Sequence, residues 1–123
     1  MSDKVLDKFG EVLMQSVRDR TISNCDKILN GQMKGITAQQ VIEKLEGFSD
    51  EQIETLKWII PQIVDESLHN FLFMIEECNN INVEVQINNE TGNVRELSDG
   101  LAGELYTEDG WIFRFSKERY EEI

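Results

Sequence analysis

Residues 99–116, running Asp99-Gly100-Leu101-Ala102-Gly103-Glu104-Leu105-Tyr106-Thr107-Glu108-Asp109-Gly110-Trp111-Ile112-Phe113-Arg114-Phe115-Ser116, constrain the fold more than any other stretch. Glu104 to Thr107 and Trp111 to Phe115 have strand composition. Between them Glu108-Asp109-Gly110 offers a turn whose glycine is free to take a positive φ. The pattern predicts a β-hairpin. The chain ahead of it reads as helical, so the expected class is α+β: three or four N-terminal helices packed on one face of a C-terminal antiparallel sheet of three or four strands.

The helical half is read from apolar spacing. Ser2 or Asp3 can cap a first helix, along which Val5, Leu6, Phe9, Val12, Leu13 and Val17 form one stripe. The stripe drifts at Ile22, Cys25, Ile28 and Leu29, which predicts a bend near Thr21-Ile22-Ser23-Asn24 or packing on two neighbours. Thr37 is the expected cap of a short helix through Val41, Ile42 and Leu45. Ser49 with Gln52 forms a capping box for the longest periodic segment, about Asp50 to Asn79. Its expected buried face is Ile53, Leu56, Ile60, Ile63, Val64, Leu68, Phe71 and Ile75. Pro61 lies inside this segment, and its missing N–H and bulky ring predict a kink or a break into two helices.

After Asn79, Ile81, Val83, Val85 and Ile87 alternate with polar residues as in a half-buried strand. A turn is expected within Asn88 to Asn93, a short strand over Val94 to Leu97, then the hairpin. Ser116 can cap a last helical turn over Lys117 to Glu122. The 123 residues read as a single domain, 1–123, with a helical half (1–79) and a β half (80–123).

Charge is unevenly placed. The chain carries 12 basic and 24 acidic residues, a net −12. Residues 1–48 are net neutral, whereas 49–80 and 81–123 each carry −6. That field repels nucleic acid and anionic membrane and favours basic partners, or serves solubility alone. No apolar run approaches the roughly 18 to 20 residues of a membrane span, and the polar start leads one to expect no secretory signal. Cys25 and Cys78 lie in separate helical segments without metal-ligand spacing, which predicts two free thiols in a reducing cytoplasm.

The run Ser98-Asp99-Gly100-Leu101-Ala102-Gly103-Glu104-Leu105-Tyr106-Thr107-Glu108-Asp109-Gly110-Trp111-Ile112 resembles the C-terminal signature of a family of small uncharacterised bacterial proteins, a domain of unknown function. Arg20-Thr21-Ile22 through Lys27-Ile28-Leu29-Asn30-Gly31-Gln32-Met33-Lys34-Gly35, and Val64-Asp65-Glu66-Ser67-Leu68-His69-Asn70-Phe71-Leu72, look similar as well. Cys25 stands where the resemblance leads one to expect an aromatic. It implies a bacterial, cytosolic, single-domain protein and supplies no catalytic residue.

Two constellations could carry chemistry. On the long helix Asp65, His69 and Glu76 fall within about 40° of one another at 100° per residue, with Trp58 on the same line. His69 is the only histidine. With carboxylates beside it, it could serve as a general base oriented by Asp65 or hold a divalent ion, but a boundary histidine paired to an aspartate is the plainer reading. The second constellation is Glu104, Tyr106, Glu108, Asp109 and Trp111, carboxylates beside aromatics, which suits contact with a basic side chain. Asp99, with the turn acids, lacks the alternating ligands of a calcium loop. Phosphate-binding glycine loops, nucleophile elbows and basic strips are absent from the sequence.

The expected function is therefore binding rather than catalysis: a small acidic cytoplasmic protein that masks a basic protein surface, as an immunity protein or inhibitor does, without metal or cofactor. The alternatives are a small-ligand binder or enzyme using Asp65, His69 and Glu76, and a homo-oligomeric scaffold with an acidic exterior.

Overall fold

The computed structural model describes residues 2–119. Residues 2–29 form one unbroken rod: α1 (Ser2–Val12), a π-helical stretch (Leu13–Asp19) and α2 (Arg20–Leu29). The junction residues Val12, Asp19 and Arg20 all keep right-handed helical dihedrals. The change of phase expected at residues 21–24 is absorbed earlier, by the wide turns of the π stretch. Met14, Arg18 and Ile22 are each fully buried, four residues apart. On an ordinary α-helix such a row would drift by about 40° per step. The wider turns keep it facing the core. The cap expected from Ser2 or Asp3 lies outside the described side chains.

Next, α3 (Ile36–Lys44) starts after Gly35, so Thr37 is not its cap. The capping box at Ser49 is present: Ser49 Oγ accepts from the Gln52 N–H at 3.1 Å, and Gln52 Oε1 accepts from the Ser49 N–H at 2.8 Å. It opens α4 (Asp50–Glu77), 28 residues that run through Pro61 without a break. The expected division at Pro61 is thus corrected. The carbonyl that proline leaves free, that of Lys57, receives a hydrogen bond from the C-terminal segment instead. The buried face of α4 is Pro61, Val64, Leu68, Leu72 and Ile75. Ile63 and Phe71, expected inside, stand exposed.

Strands are fewer than expected. β1 (Glu84–Ile87) and β2 (Glu90–Asn93) form one antiparallel pair, with Glu84 opposite Asn93 and Ile87 opposite Glu90. This is the whole described sheet, two strands rather than three or four. The turn is Asn88-Asn89, with Asn88 at φ 54°. Val94–Leu97, expected as a strand, is the helical turn α5. Asn93 Oδ1 caps it by accepting from the N–H groups of Arg95 and Glu96.

The expected hairpin is also helical. Leu101–Leu105 forms a 3₁₀ turn and Trp111–Phe115 forms α6. The burial explains this. Leu101, Ala102 and Leu105 are buried, and Trp111, Ile112 and Phe115 pack inward, at the i, i+1, i+4 spacing of a helix rather than the period of two a strand requires. Five residues of strand-like composition do not outweigh that spacing. Nor does Gly110 use a positive φ, since it sits at −77°. It is glycine because a Cβ there would collide with the Tyr106 carbonyl. Thr107 takes the left-handed conformation instead, at φ 73°, a strained position for a β-branched residue. After Phe115 the described residues 116–119 are not helical, and the remainder of the last turn expected over Lys117–Glu122 lies outside the described residues.

The core gathers Leu6, Leu13, Met14 and Ile22 of the rod, the buried face of α4, Val94, and Leu101, Ala102, Leu105 and Trp111 of the C-terminal segment. That segment lies along α4 and carries the concavity described next.

Candidate functional site

The stripe on α4 turns out to be a row of attachment points. Asp65, His69 and Glu76 do face one way, but each takes a different partner. Both Asp65 oxygens accept from Arg18, Oδ1 from Nε at 2.6 Å and Oδ2 from Nη2 at 3.2 Å. His69 Nδ1 lies 3.0 Å from the Tyr106 hydroxyl, and the imidazole stacks on Phe73 with centroids 6.3 Å apart. Glu76 Oε1 accepts from the Ala102 N–H at 3.2 Å. The expected Asp65–His69 pair is therefore replaced by links from α4 to the rod and the C-terminal segment. Among the described residues no group of three or more metal-ligating side chains is assembled.

Arg18 was not legible as a site residue, and it anchors this region. It is fully buried and its five N–H donors are all used. Two go to Asp65; Nη1 donates to Ser116 Oγ at 2.6 Å and to the Glu118 carbonyl at 2.7 Å; Nη2 donates also to the Arg119 carbonyl at 2.7 Å. Ser116 Oγ donates in turn to Asp19 at 2.5 Å, and Asp19 accepts from the Lys117 N–H at 2.8 Å. Arg119 pairs side-on with Asp26. A buried guanidinium is tolerated only when so completely partnered. The row of Met14, Arg18 and Ile22 was the signal that could have found it: a charge at a core position of an apolar repeat.

Above this network a groove of about 490 Å³ opens between α4 and residues 105–113. Trp58, Tyr106 and Phe113 form its aromatic walls, and Pro61, Leu105 and Ile112 supply its apolar floor. Gln62, Glu66 and Glu108, all exposed, line it as well, together with Asp65 and the two guanidinium groups of Arg18 and Arg119, which are paired with Asp65 and Asp26. Trp58 is 58% exposed. The Tyr106 phenol is pushed above its ordinary value, first by burial and then by the charges of Asp65 and Glu66. The protonated hydroxyl shares its hydrogen bond with His69 Nδ1.

The second sequence constellation is divided by the fold. Tyr106 and Glu108 line this groove. Glu104 and Asp109 line a separate concavity of about 380 Å³ with Asp7, Asp99 and Arg114. There Glu104 accepts from Ser98 Oγ at 2.6 Å, and Arg114 is paired with Asp7 at 3.0 Å. Trp111, expected to meet a partner, is completely buried and cannot. Its indole meets Phe9 edge-on at 5.7 Å, and its Nε1–H has no hydrogen-bond partner among the described residues. The aromatics that do line the groove are Trp58, Tyr106 and Phe113.

Aromatic faces with carboxylates beside them make a site for a cation carrying an apolar stem. The ring quadrupoles attract the charge, the apolar floor takes the methylenes, and the carboxylates accept its N–H groups. Cys25 and Cys78 are free thiols, and among the described residues no helix is long and apolar enough to cross a membrane. No family model, curated protein or solved structure matches the chain.

Proposed function

We propose that the chain is a binding protein that takes a basic segment of a partner protein into the groove between α4 and residues 105–113, masking it in the manner of an immunity protein or inhibitor. The observation that carries the reading is the union, in one cleft, of Trp58, Tyr106 and Phe113 with Glu66 and Glu108. Charge supports it: the two blocks that build the groove hold all of the net −12. Such a field speeds encounter with a basic partner, and the cleft fixes its register. Asp65, His69 and Glu76 serve this function indirectly, by holding the groove's second wall against α4. The protein works in the reducing cytoplasm, where its two thiols stay free.

The test is titration with a hexa-arginine peptide, followed by tryptophan fluorescence. Trp58 reports on the groove, while the buried Trp111 contributes a steady background. Binding should weaken as salt rises, because exposed charges are screened over about 8 Å at physiological ionic strength. Glu66→Lys with Glu108→Lys should weaken it about tenfold or more, whereas Glu43→Lys with Glu46→Lys, outside the groove, should do much less. Equal effects of the two pairs of reversals, or a fluorescence change indifferent to salt, would sink the proposal.

A further inference from the structure

Pro61 leaves an acceptor inside α4, beside the groove. In a helix the carbonyl of residue i points at the N–H of residue i+4. The Lys57 oxygen therefore faces the nitrogen of Pro61, which has no proton to give. A carbonyl left over in this way must take its donor from outside the helix. Pro61 and Trp58, on either side of that carbonyl along the helix, both line the groove. The Asp26 carboxylate of α2 comes to the same place. Three acceptor oxygens thus converge beside Pro61: that of Lys57 and the two of Asp26.

A guanidinium satisfies all three. Arg119 Nη1 donates to Asp26 Oδ2, while Nη2 donates to Asp26 Oδ1 at 3.1 Å and to the Lys57 carbonyl at 3.0 Å. The planar fork matches the carboxylate with two N–H groups and keeps a third for the carbonyl. An ammonium is a point charge with no such fork. The bond to Asp26 is the chief reason this guanidinium holds its proton more tightly than usual; burial opposes it, and the charges of Asp26, Glu118 and Glu54 add to it. Arg119 itself lines the groove, and its side chain is 37% exposed. Its backbone is fixed separately, because its carbonyl accepts from the buried Arg18 at 2.7 Å. The side chain can leave while the backbone stays.

We infer that Asp26 and the Lys57 carbonyl form an arginine subsite of the groove, filled by the chain's own Arg119 until an arginine of the bound segment displaces it; the displacement rests on the groove's role as a cleft for a basic segment, whereas the subsite does not. Exchange replaces three hydrogen bonds by the same three, and an exposed ion pair contributes little net, so eviction of Arg119 costs little. Filling in cis lowers the apparent affinity for the segment by the fraction of time the subsite is occupied. It also sets a preference for arginine over lysine, because only the fork reaches all three oxygens.

Two measurements test the two halves separately. The first titrates Arg119→Ala with methylguanidinium and follows amide NMR spectra, which also report that the variant is folded. The Asp26 and Trp58 amide signals should shift saturably. They should shift far less in the natural chain, where Arg119 fills the subsite, and far less with methylammonium. Shifts that are absent, or equal for the two cations, would overturn the subsite. The second titrates the whole chain with hexa-arginine. Arg119→Ala also removes a positive charge, so Lys117→Ala, exposed and two residues away, is the matched control. Arg119→Ala should bind at least about threefold more tightly than Lys117→Ala, and hexa-lysine should show no such difference. Arg119→Lys, which keeps the charge but loses the fork, should also bind hexa-arginine more tightly than the natural chain. Equal affinities of Arg119→Ala and Lys117→Ala would overturn the displacement alone. Failure of hexa-arginine to bind any of these proteins would overturn the groove reading and the displacement together, which the NMR titration separates from loss of the subsite.

Discussion

Arg119 hydrogen-bonds the backbone carbonyl that Pro61 orphans. In a regular helix the N–H of residue 61 would donate to the carbonyl of Lys57, and proline has no N–H to give. The guanidinium takes its place, with Nη2 at 3.0 Å from the Lys57 oxygen, while the same side chain pairs with Asp26. An unbroken 28-residue helix through a proline thus depends on a residue 58 positions further along the chain.

A double-mutant cycle should detect that dependence. Arg119→Ala removes the substitute donor, and Pro61→Ala restores the native one. We expect Arg119→Ala to cost more in the natural chain than in the Pro61→Ala background, with a coupling of about 1 kcal/mol, the worth of one hydrogen bond. The Asp26 pair is lost in both backgrounds and cancels. Urea unfolding of the four proteins measures it, and strictly additive effects would show that the carbonyl does not need Arg119.

Arg18 and Asp65 lead to a second expectation. Asp65→Ala leaves a fully buried guanidinium facing an empty space, and should destabilise by about 3 kcal/mol. Arg18→Met with Asp65→Leu should recover part of this, because the buried guanidinium is removed together with its partner, although Asp19, 3.7 Å from Arg18 and largely buried, then loses that ion pair. Recovery stays incomplete, since Ser116 Oγ and the carbonyls of Glu118 and Arg119 lose their donor. A double variant less stable than Asp65→Ala would contradict the argument.

These two networks mark where sequence reading stopped. The capping box at Ser49, the long helix after it and the strand through Val85 were legible because each is a local pattern. The α4 stripe was legible as a face, but its partners were not. Asp65 and His69 are four residues apart and invite pairing, yet Arg18 and Tyr106 reach them from 47 and 37 residues away. The hairpin failed for a related reason. Strand-like composition over 104–115 was outweighed by a tertiary fact, the helical spacing of the residues that α4 and the rod cover. Arg18 was invisible because a lone arginine in a helix normally reads as solvated surface.

Gly10 and Trp111 illustrate the same lesson, and they yield the third expectation. Gly10 sits mid-helix, where alanine would ordinarily stabilise by about 1 kcal/mol. Here a Cβ would press into the indole of Trp111, which is buried on all sides. Overpacking against a rigid ring should win, and Gly10→Ala should destabilise by about 2 kcal/mol net. In a Trp111→Leu background, already weakened by the lost ring, the further change Gly10→Ala should be neutral or favourable. Thermal or urea unfolding decides it. A Gly10→Ala protein more stable than the natural chain would show that the indole can give way.

The alkaline limb of stability should belong partly to Tyr106. Its phenol lies above the ordinary value near 10 because burial and the charges of Asp65 and Glu66 disfavour the phenolate. The fold thus holds a proton that the unfolded chain releases first. Below about pH 10 both states keep the proton and this contribution is fully present. Above it the unfolded state binds fewer protons than the folded state, so stability falls as pH rises, until the folded phenol itself ionises. The Cys25 thiol is also raised, chiefly by burial and then by Asp26, with Arg119 opposing, and it adds a slope of the same sign from a lower pH. Tyr106→Phe separates the two. It should cost about 1 kcal/mol at neutral pH, the loss of the hydrogen bond to His69. It should also lose stability less steeply than the natural chain above pH 10, so that the two curves converge, while the Cys25 component stays in both. Parallel curves from pH 8 to 11.5 would mean that the phenol titrates alike in both states, and that the Tyr106–His69 contact does not shield it.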